Sequence, residues 1–175
     1  RTLGVESAQA LGPAGALLRF ARSQPADLTI AHTEIPIWAA QRLIRDGRRV
    51  AVDMEDWYAE DLLPADRRSR PLRLLRAAER FALNQAAYAS ATSESMAGAL
   101  AAAYGCPKPL VLRNTFPLQA GSRLDRPAGA EPPAFIWFSQ TIGPGRGLEA
   151  FLAAWAQTKT PSRVHLLGDI RSGYR

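Results

Sequence analysis

The stretch LTIAHTEIPIWAAQRLIRDGRRVAVDMED, residues 28–56, holds two short apolar runs separated by one amphipathic segment. Residues 28–31 and 49–53 are predicted strands, because both runs are short and β-prone and end at polar residues. Residues 35–46 are a predicted helix, and Gly47 follows it as a stop signal. A strand, a helix and a second strand in this order are typical of a parallel β-α-β unit.

The same alternation continues toward the C-terminus. Residues 71–86 are a predicted helix, and residues 88–92 and 109–113 are predicted strands. Between these strands, Ser93 caps a predicted helix that ends at Gly105. Strands and helices that alternate in this way predict an α/β fold with a mostly parallel, Rossmann-like sheet and flanking helices.

A proline- and glycine-rich segment interrupts the pattern. Residues 115–133 read TFPLQAGSRLDRPAGAEPP and show little periodicity, so they predict a linker. The alternation then resumes, with predicted strands at 134–138 and 163–167 and a predicted helix at 147–156. The chain is therefore expected to contain two domains, which the linker joins. Their expected bounds are residues 1–114 and 134–175.

Composition narrows the class of protein. Of the 175 residues, 47% are hydrophobic, which supports a folded core. No apolar stretch approaches the roughly 20 residues that span a bilayer, and the sequence does not open with a secretory pattern. The single Cys106 excludes a disulfide framework, and with His32 and His165 it makes a poor zinc ligand set. These features predict a cytoplasmic protein.

The chain is basic, with a net charge of +6. This charge favours phosphates, anionic lipid surfaces or nucleic acid as partners, although abundant arginine and alanine are equally typical of a GC-rich genome. On the predicted helix 71–86, Arg73, Arg76 and Arg80 fall on one arc. The arc predicts either a peripheral contact with an anionic membrane or a solvated helix face with Glu79 nearby. The interleaved aromatic and basic residues that favour nucleic acid are not seen, so no nucleic-acid partner is expected.

Ligands of open parallel sheets bind beyond the carboxyl ends of the strands. Those positions hold His32, the acidic run from Asp53 through Glu55 to Asp56, Ser93, Asn114, the loop 139–147 and Gly168. The loop reads SQTIGPGRG and leads from a predicted strand into a predicted helix, so its backbone N–H groups and Arg146 suit a phosphate. It is neither a Walker A loop nor a dinucleotide-binding fingerprint, and an ordinary βα turn remains the alternative.

Six segments, in the correct order, carry a resemblance to a known family. Residues 135–151, FIWFSQTIGPGRGLEAF, resemble the first βα unit of the C-terminal domain of GT-B glycosyltransferases of the retaining family 4, also called group 1. The other five segments are PADLTIAH, RVAVDMEDW, SATSESMAGALAAAYG, PLVLRNTFP and RVHLLGD. The resemblance implies a partial GT-B fold, with most of the N-terminal, acceptor-side domain and the start of the C-terminal, donor-side domain.

On the donor side, the resemblance implies that the loop binds the diphosphate of a nucleotide-sugar. The residues implied to contact the donor are Gly143, Gly145, Arg146, Gly147, Gln140 and Gly168. Arg146 matches a basic residue of the family that offsets the charge building on the leaving group. Gln140 stands where the family has a companion arginine, so the loop carries one cation fewer.

On the acceptor side, the resemblance implies catalytic roles for His32 and Glu34. His32 matches a histidine that positions or polarises the reacting sugar, and Glu34 would accept a hydrogen bond from an acceptor hydroxyl. A solvated strand-end histidine and an acid favoured by the helix dipole are the respective alternatives. The predicted acceptor-binding residues are Asp53, Glu55, Asp56 and Trp57. Trp57 and Tyr58 suit stacking on a sugar ring, insertion at an interface or packing in the core.

The resemblance implies a glycosyltransferase that moves a sugar from a nucleotide-sugar to a carbohydrate or lipid-linked acceptor. Retention of configuration, a role in surface polysaccharide or glycoconjugate synthesis, and transfer without metal or cofactor are part of this expectation. The family's paired donor-binding glutamates would fall after Arg175, so the chain is expected to be an inactive internal fragment. The alternative is a non-catalytic α/β domain that binds a polyanion. The sequence does not identify the base, the sugar or the acceptor.

Overall fold

The computed structural model of the chain describes residues 11–61, 67, 70–117 and 132–174. These residues belong to two compact units, the first extending to Pro117 and the second following it. Most of the predicted linker, residues 115–133, lies outside the described residues.

The first unit alternates helices and strands as the sequence predicts. Its elements are α1 (Ala14–Ser23), β1 (Thr29–His32), α2 (Glu34–Arg45), β2 (Val50–Met54), α3 (Leu72–Gln85), β3 (Ala89–Ala91), α4 (Glu94–Tyr104) and β4 (Leu110–Val111). The helix α1 was not predicted; its Ala14 and Leu18 are buried, four residues apart on one helix face.

All neighbouring strands of the first unit are parallel, in the order β1-β2-β3-β4. The strand β2 is buried along its length except at Asp53, which is half-buried. The helix α2 packs against both α1 and α3, and α4 packs against β3 and β4. The α/β fold with a parallel sheet and flanking helices is therefore confirmed.

The ends of α4 follow the predicted signals. The Ser93 hydroxyl accepts a hydrogen bond from the Met96 N–H over 3.2 Å, and Gly105 closes the helix at a left-handed φ of 62°. Glycine adopts this φ without the steric cost that a Cβ brings. Because Ser93 caps α4, no ligand is needed to explain a serine at this position after β3.

The second unit consists of β5 (Ala134–Ile142), α5 (Leu148–Trp155) and β6 (Arg163–Ile170), with β5 and β6 parallel. Both strands are longer than predicted, because Thr141 and Ile142 pair with Asp169 and Ile170 after a register shift. Such a shift is a bulge, which apolar patterning does not reveal. Among the described residues of both units, no helix combines the length and the apolar character needed to cross a membrane.

Candidate functional site

Polar side chains at the carboxyl ends of β1, β2 and β3 form one hydrogen-bonded cluster. The parallel register sets His32 beside Asp53 and Asp53 beside Ser90. Nδ1 of His32 lies 3.0 Å from Oδ2 of Asp53, and the Ser90 hydroxyl donates to Oδ1 of Asp53 over 2.5 Å. We call these three residues the strand-end cluster. It leads from the buried Ser90 to an imidazole whose side chain is 50% exposed.

The strand-end cluster fixes the direction of the imidazole. Because Nδ1 of His32 faces the Asp53 carboxylate, Nε2 is the ring nitrogen that can exchange a hydrogen bond with a ligand hydroxyl. The Ser90 hydroxyl holds the second oxygen of Asp53, so the carboxylate itself is held in place. Sequence reasoning missed Ser90, because its place beside Asp53 depends on the pairing of β3 with β2.

The acidic residues after β2 surround this imidazole with negative charge. Oε1 of Glu55 lies 3.9 Å from Nδ1 of His32, which is beyond hydrogen-bond length but close enough for attraction to a protonated ring. Asp56 follows at the same bend and is exposed. The structure therefore brings His32, Asp53 and Glu55 together, with Asp56 next in the chain.

Three of these residues could in principle hold a cation. One ligand atom from each of His32, Asp53 and Glu55 lies within 4.8 Å of the others, and within the described ranges this is the grouping with that property. Both oxygens of Asp53 are already engaged, by His32 and by Ser90, so a cation would compete with the bonds of the strand-end cluster. Transfer without a metal stays a prediction.

Glu34 begins α2 two residues after His32. Its carboxylate forms an ion pair with Arg70, the residue that precedes Pro71 and α3. Thr33 lies between His32 and Glu34 with a φ of 63°, and its N–H donates to the Tyr58 hydroxyl over 3.2 Å. The ion pair and the helix N-terminus account for a carboxylate at Glu34 without a ligand, and its acceptor-binding role stays a prediction.

The two aromatic residues after the acidic run, Trp57 and Tyr58, pack against the interior of the first unit. Tyr58 is buried, and Trp57 is half-buried. The Trp57 indole N–H donates to the Tyr104 hydroxyl over 3.0 Å, and the two rings meet edge-on with centroids 5.9 Å apart. Tyr58 is thus a core residue, whereas Trp57 is half-buried and follows the acidic residues directly in the chain.

The carboxyl group of Glu79 lies beneath this turn and is almost fully buried, with 1% of the residue exposed. It accepts hydrogen bonds from the Ala59 N–H over 3.0 Å and from the Tyr104 hydroxyl. Burial raises the pKa of Glu79 to about 7, and these two hydrogen bonds oppose the rise. Glu79 was expected near a solvated helix face, but it lies four residues after Leu75 and three before Ala82, on the buried stripe of α3.

The arginines of α3 line the outer surface of the first unit. Arg73, Arg76 and Arg80 are exposed, and together with Arg45 of α2 they line a groove of about 760 Å³. Arg76 also forms an ion pair with Glu60 at 2.7 Å. Arg45 was missed because the contribution of a neighbouring helix to a surface depends on packing and not on sequence spacing.

The glycine loop of the second unit is shorter than predicted. Ser139, Gln140 and Thr141 belong to β5, so the loop is limited to residues 143–147. Gly145 and Gly147 adopt φ values of 79° and 78°, which favour glycine. The first N–H groups of α5 have no side-chain cap at Gly147 and face the loop, and Arg146 is exposed beside them.

Gly168 of β6 lies close to β5, and Arg171, which follows β6, lies close to the glycine loop. A Cβ on Gly168 would lie 2.2 Å from the carbonyl oxygen of Ser139, so only glycine fits there. Arg171 donates its N–H to the Ile142 carbonyl over 3.0 Å, and its Cβ and Cδ lie 3.4 Å from where a Cβ on Gly143 would stand. The structure thus brings a second arginine to the loop, which sequence spacing did not predict.

The comparison with known families bears on this strand-end arrangement. Residues 3–115, more than half of the chain, match the glycosyl transferase 4-like domain. The chain belongs to this family. No protein of curated function matches it.

The glycosyl transferase 4-like domain covers the whole strand-end cluster, together with Glu34, Glu55, Asp56 and Trp57. The glycine loop, Gly168 and Arg171 lie outside the matched residues. Membership of the family therefore identifies the first unit as a glycosyltransferase domain and agrees with its four-stranded parallel sheet.

Proposed function

We propose that the chain is part of an enzyme that transfers a sugar from a nucleotide-sugar donor to a carbohydrate or lipid-linked acceptor. We further propose retention of configuration, a role in surface polysaccharide or glycoconjugate synthesis, and transfer without a metal. The observation that carries the proposal is the strand-end cluster, in which Asp53 engages Nδ1 of the half-exposed His32 at the carboxyl ends of the strands of a glycosyl transferase 4-like domain. Open parallel sheets bind their ligands beyond the carboxyl ends of their strands.

In the proposed reaction, His32 and the acidic residues handle the acceptor side. Nε2 of His32 accepts the proton of the acceptor hydroxyl as that oxygen bonds to the anomeric carbon, and Asp53 stabilises the positive charge that the imidazole gains. Glu34, Glu55 and Asp56 accept hydrogen bonds from sugar hydroxyls, and the half-buried Trp57 contacts a sugar ring. Together these contacts orient the acceptor for the transfer.

The second unit handles the donor in this proposal. The bond between the anomeric carbon and the diphosphate oxygen breaks, and the negative charge collects on the leaving diphosphate. In this proposal the backbone N–H groups of the glycine loop and of the first turn of α5 donate hydrogen bonds to the charged diphosphate, and the exposed Arg146 adds a positive charge. Arg171 supplies a second cation at the loop, in a chain where Gln140 replaces the arginine of the family.

We expect Arg146→Ala to weaken nucleotide binding. In the full-length wild-type protein, excess UDP or GDP should raise the melting temperature, since a ligand of the folded state stabilises by about 2.7 kcal/mol at 100 times its Kd. Loss of one charge-assisted contact should raise the apparent Kd by about tenfold or more. Thermal unfolding across a nucleotide titration measures this effect.

Lys159→Ala is the matched control, because Lys159 is an exposed cation of the same unit outside the glycine loop. It should respond to nucleotide like the wild-type protein. No thermal response to any nucleoside diphosphate, combined with salt-sensitive RNA binding, would contradict the transferase and favour the polyanion-binding alternative.

We also propose that the groove lined by Arg45, Arg73, Arg76 and Arg80 contacts an anionic membrane surface, as a lipid-linked acceptor would require.

The double variant Arg73→Gln/Arg80→Gln should weaken binding to phosphatidylserine-containing vesicles. At about 1 kcal/mol per cation, the expected loss is about 30-fold in the partition constant. Vesicle sedimentation measures it, with pure phosphatidylcholine vesicles as the uncharged reference. An equal loss in Arg19→Gln/Arg49→Gln, which removes two exposed cations outside the groove, would show that net charge and not the groove decides binding.

A further inference from the structure

Core packing alone does not explain why the carboxyl group of Glu79 is buried. Glu79 occupies a position of α3 between Leu75 and Ala82, where an apolar side chain would fill the same space without losing hydration. Both of its oxygens are nevertheless used, Oε1 by the Ala59 N–H and Oε2 by the Tyr104 hydroxyl. The first bond holds Ala59 in the turn that follows the acidic residues after β2. The second holds Tyr104, whose side chain contacts the same turn.

The turn formed by residues 57–60 is fixed at several points. Tyr104 accepts the Trp57 indole N–H and donates to Glu79, so it joins the first residue of the turn to the buried acid. The Glu60 N–H donates to the Trp57 carbonyl over 2.7 Å, which closes the turn on itself. Glu60 in addition pairs with Arg76 of α3. The turn is thereby held to α3 both by the buried Glu79 and by the exposed Arg76.

The same turn reaches the strand-end cluster through Tyr58. The Tyr58 hydroxyl accepts the N–H of Thr33, the residue directly after His32. Thr33 has a φ of 63°, which is unfavourable for a β-branched residue and persists only where its surroundings impose it. A backbone bend at this point determines how the chain leaves β1, and with it the direction of the His32 side chain.

We propose that Glu79, Tyr104 and Tyr58 are positioning residues of the strand-end cluster, which hold Thr33, and through it His32, in the geometry that pairs Nδ1 with Asp53. None of them touches a ligand in this scheme. The inference rests on the proposed function only for what His32 does in sugar transfer. The positioning itself is a property of the free protein and can be measured without a substrate.

The test compares three single variants of the full-length protein, Tyr104→Phe, Tyr58→Phe and Glu79→Gln. The first two each remove one hydroxyl of the network and keep the ring. The third keeps the shape of the side chain and an oxygen that can accept the Ala59 N–H. Tyr88→Phe is the matched control, because Tyr88 lies at the surface of the same unit, outside the network. Far-ultraviolet circular dichroism verifies that each variant is folded.

The first readout is the side-chain NMR signal of His32, and His165 of the second unit is the internal reference. The variants His32→Gln and His165→Gln assign the two signals, because each variant removes one of them. Tyr104→Phe and Tyr58→Phe should shift the His32 ring resonances and leave those of His165 in place, whereas Glu79→Gln should give a smaller shift. Folded Tyr104→Phe and Tyr58→Phe variants with an unchanged His32 signal would overturn the proposal.

The second readout is turnover with the donor and acceptor that the enzyme uses. A displaced His32 should lower kcat by about tenfold or more in Tyr104→Phe and Tyr58→Phe, with KM for the donor changed far less. Tyr88→Phe should keep both constants. Equal losses in Tyr88→Phe would overturn the proposal. Shifted His32 signals in a protein that transfers no sugar would contradict the proposed function and support the positioning role.

Discussion

Replacing Gly168 with alanine is expected to destabilise the pairing of β5 with β6 by more than about 3 kcal/mol. The added Cβ would lie 2.2 Å from the carbonyl oxygen of Ser139, an atom of the backbone that a rotamer change cannot move. Gly168 also has a φ of 146°, a conformation that side-chain-bearing residues rarely adopt. Relief of the clash would require one strand to move away from the other.

Hydrogen exchange resolved to peptides of β5 and β6 measures this effect. A loss of about 3 kcal/mol corresponds to roughly 100-fold faster exchange. Gly173→Ala is the matched control in the same unit, since Gly173 also has a positive φ, of 79°, but a Cβ there would meet no atom within 4 Å. This control should cost only about 1 kcal/mol. Equal exchange in the two variants would show that backbone conformation and not the close approach determines the choice of glycine.

The second large effect concerns the pH dependence of stability through Glu79. Burial raises the pKa of Glu79 from 4.5 to about 7, and the charges of Glu60 and Asp61 add to the rise. Between these values the unfolded chain has lost the proton that the folded chain still holds, so unfolding releases a proton. The free energy of unfolding should therefore fall as the pH rises from about 4.5 to about 7, by about 3 kcal/mol in total from this residue.

Glu79→Gln should remove this part of the slope, because an amide does not titrate and still fits the space. Urea unfolding at several pH values from 4.5 to 8 measures the difference between the two proteins. Glu94→Gln is the control, since its hydrogen bond with Lys108 lowers the pKa of Glu94 and places its titration below this window. The prediction fails if wild-type and Glu79→Gln proteins lose stability in parallel over the same pH range.

Local patterns were sufficient to predict much of the first unit. Apolar runs of strand length, the cap at Ser93 and the stop at Gly105 depend on residues within a few positions of one another, and the structure confirms them. The strand-end rule also selected His32 and Asp53 separately, because each follows directly from where its own strand ends. Their hydrogen bond could not be predicted in the same way, since it depends on which strands are neighbours.

The features that sequence reasoning missed depend on contacts between distant segments. Ser90 matters only because β3 lies beside β2, and Arg45 only because α2 packs beside α3. Glu79 was expected near the exposed face because it is charged, although its spacing puts it on the buried stripe. Its partners Ala59 and Tyr104 belong to other segments, so its burial could not be read from α3 alone. Arg171 reaches the glycine loop through the longer pairing of β5 and β6, which includes a bulge.

The strand-end cluster has a consequence for the order in which activity appears during folding. Its three side chains come from three strands and meet only when two parallel pairings are in register. A slip of one residue in either pairing would turn a member of the cluster to the opposite face of the sheet. A partly folded chain with one correct pairing has no complete cluster, so competence for chemistry should emerge in a single late step, together with the finished sheet.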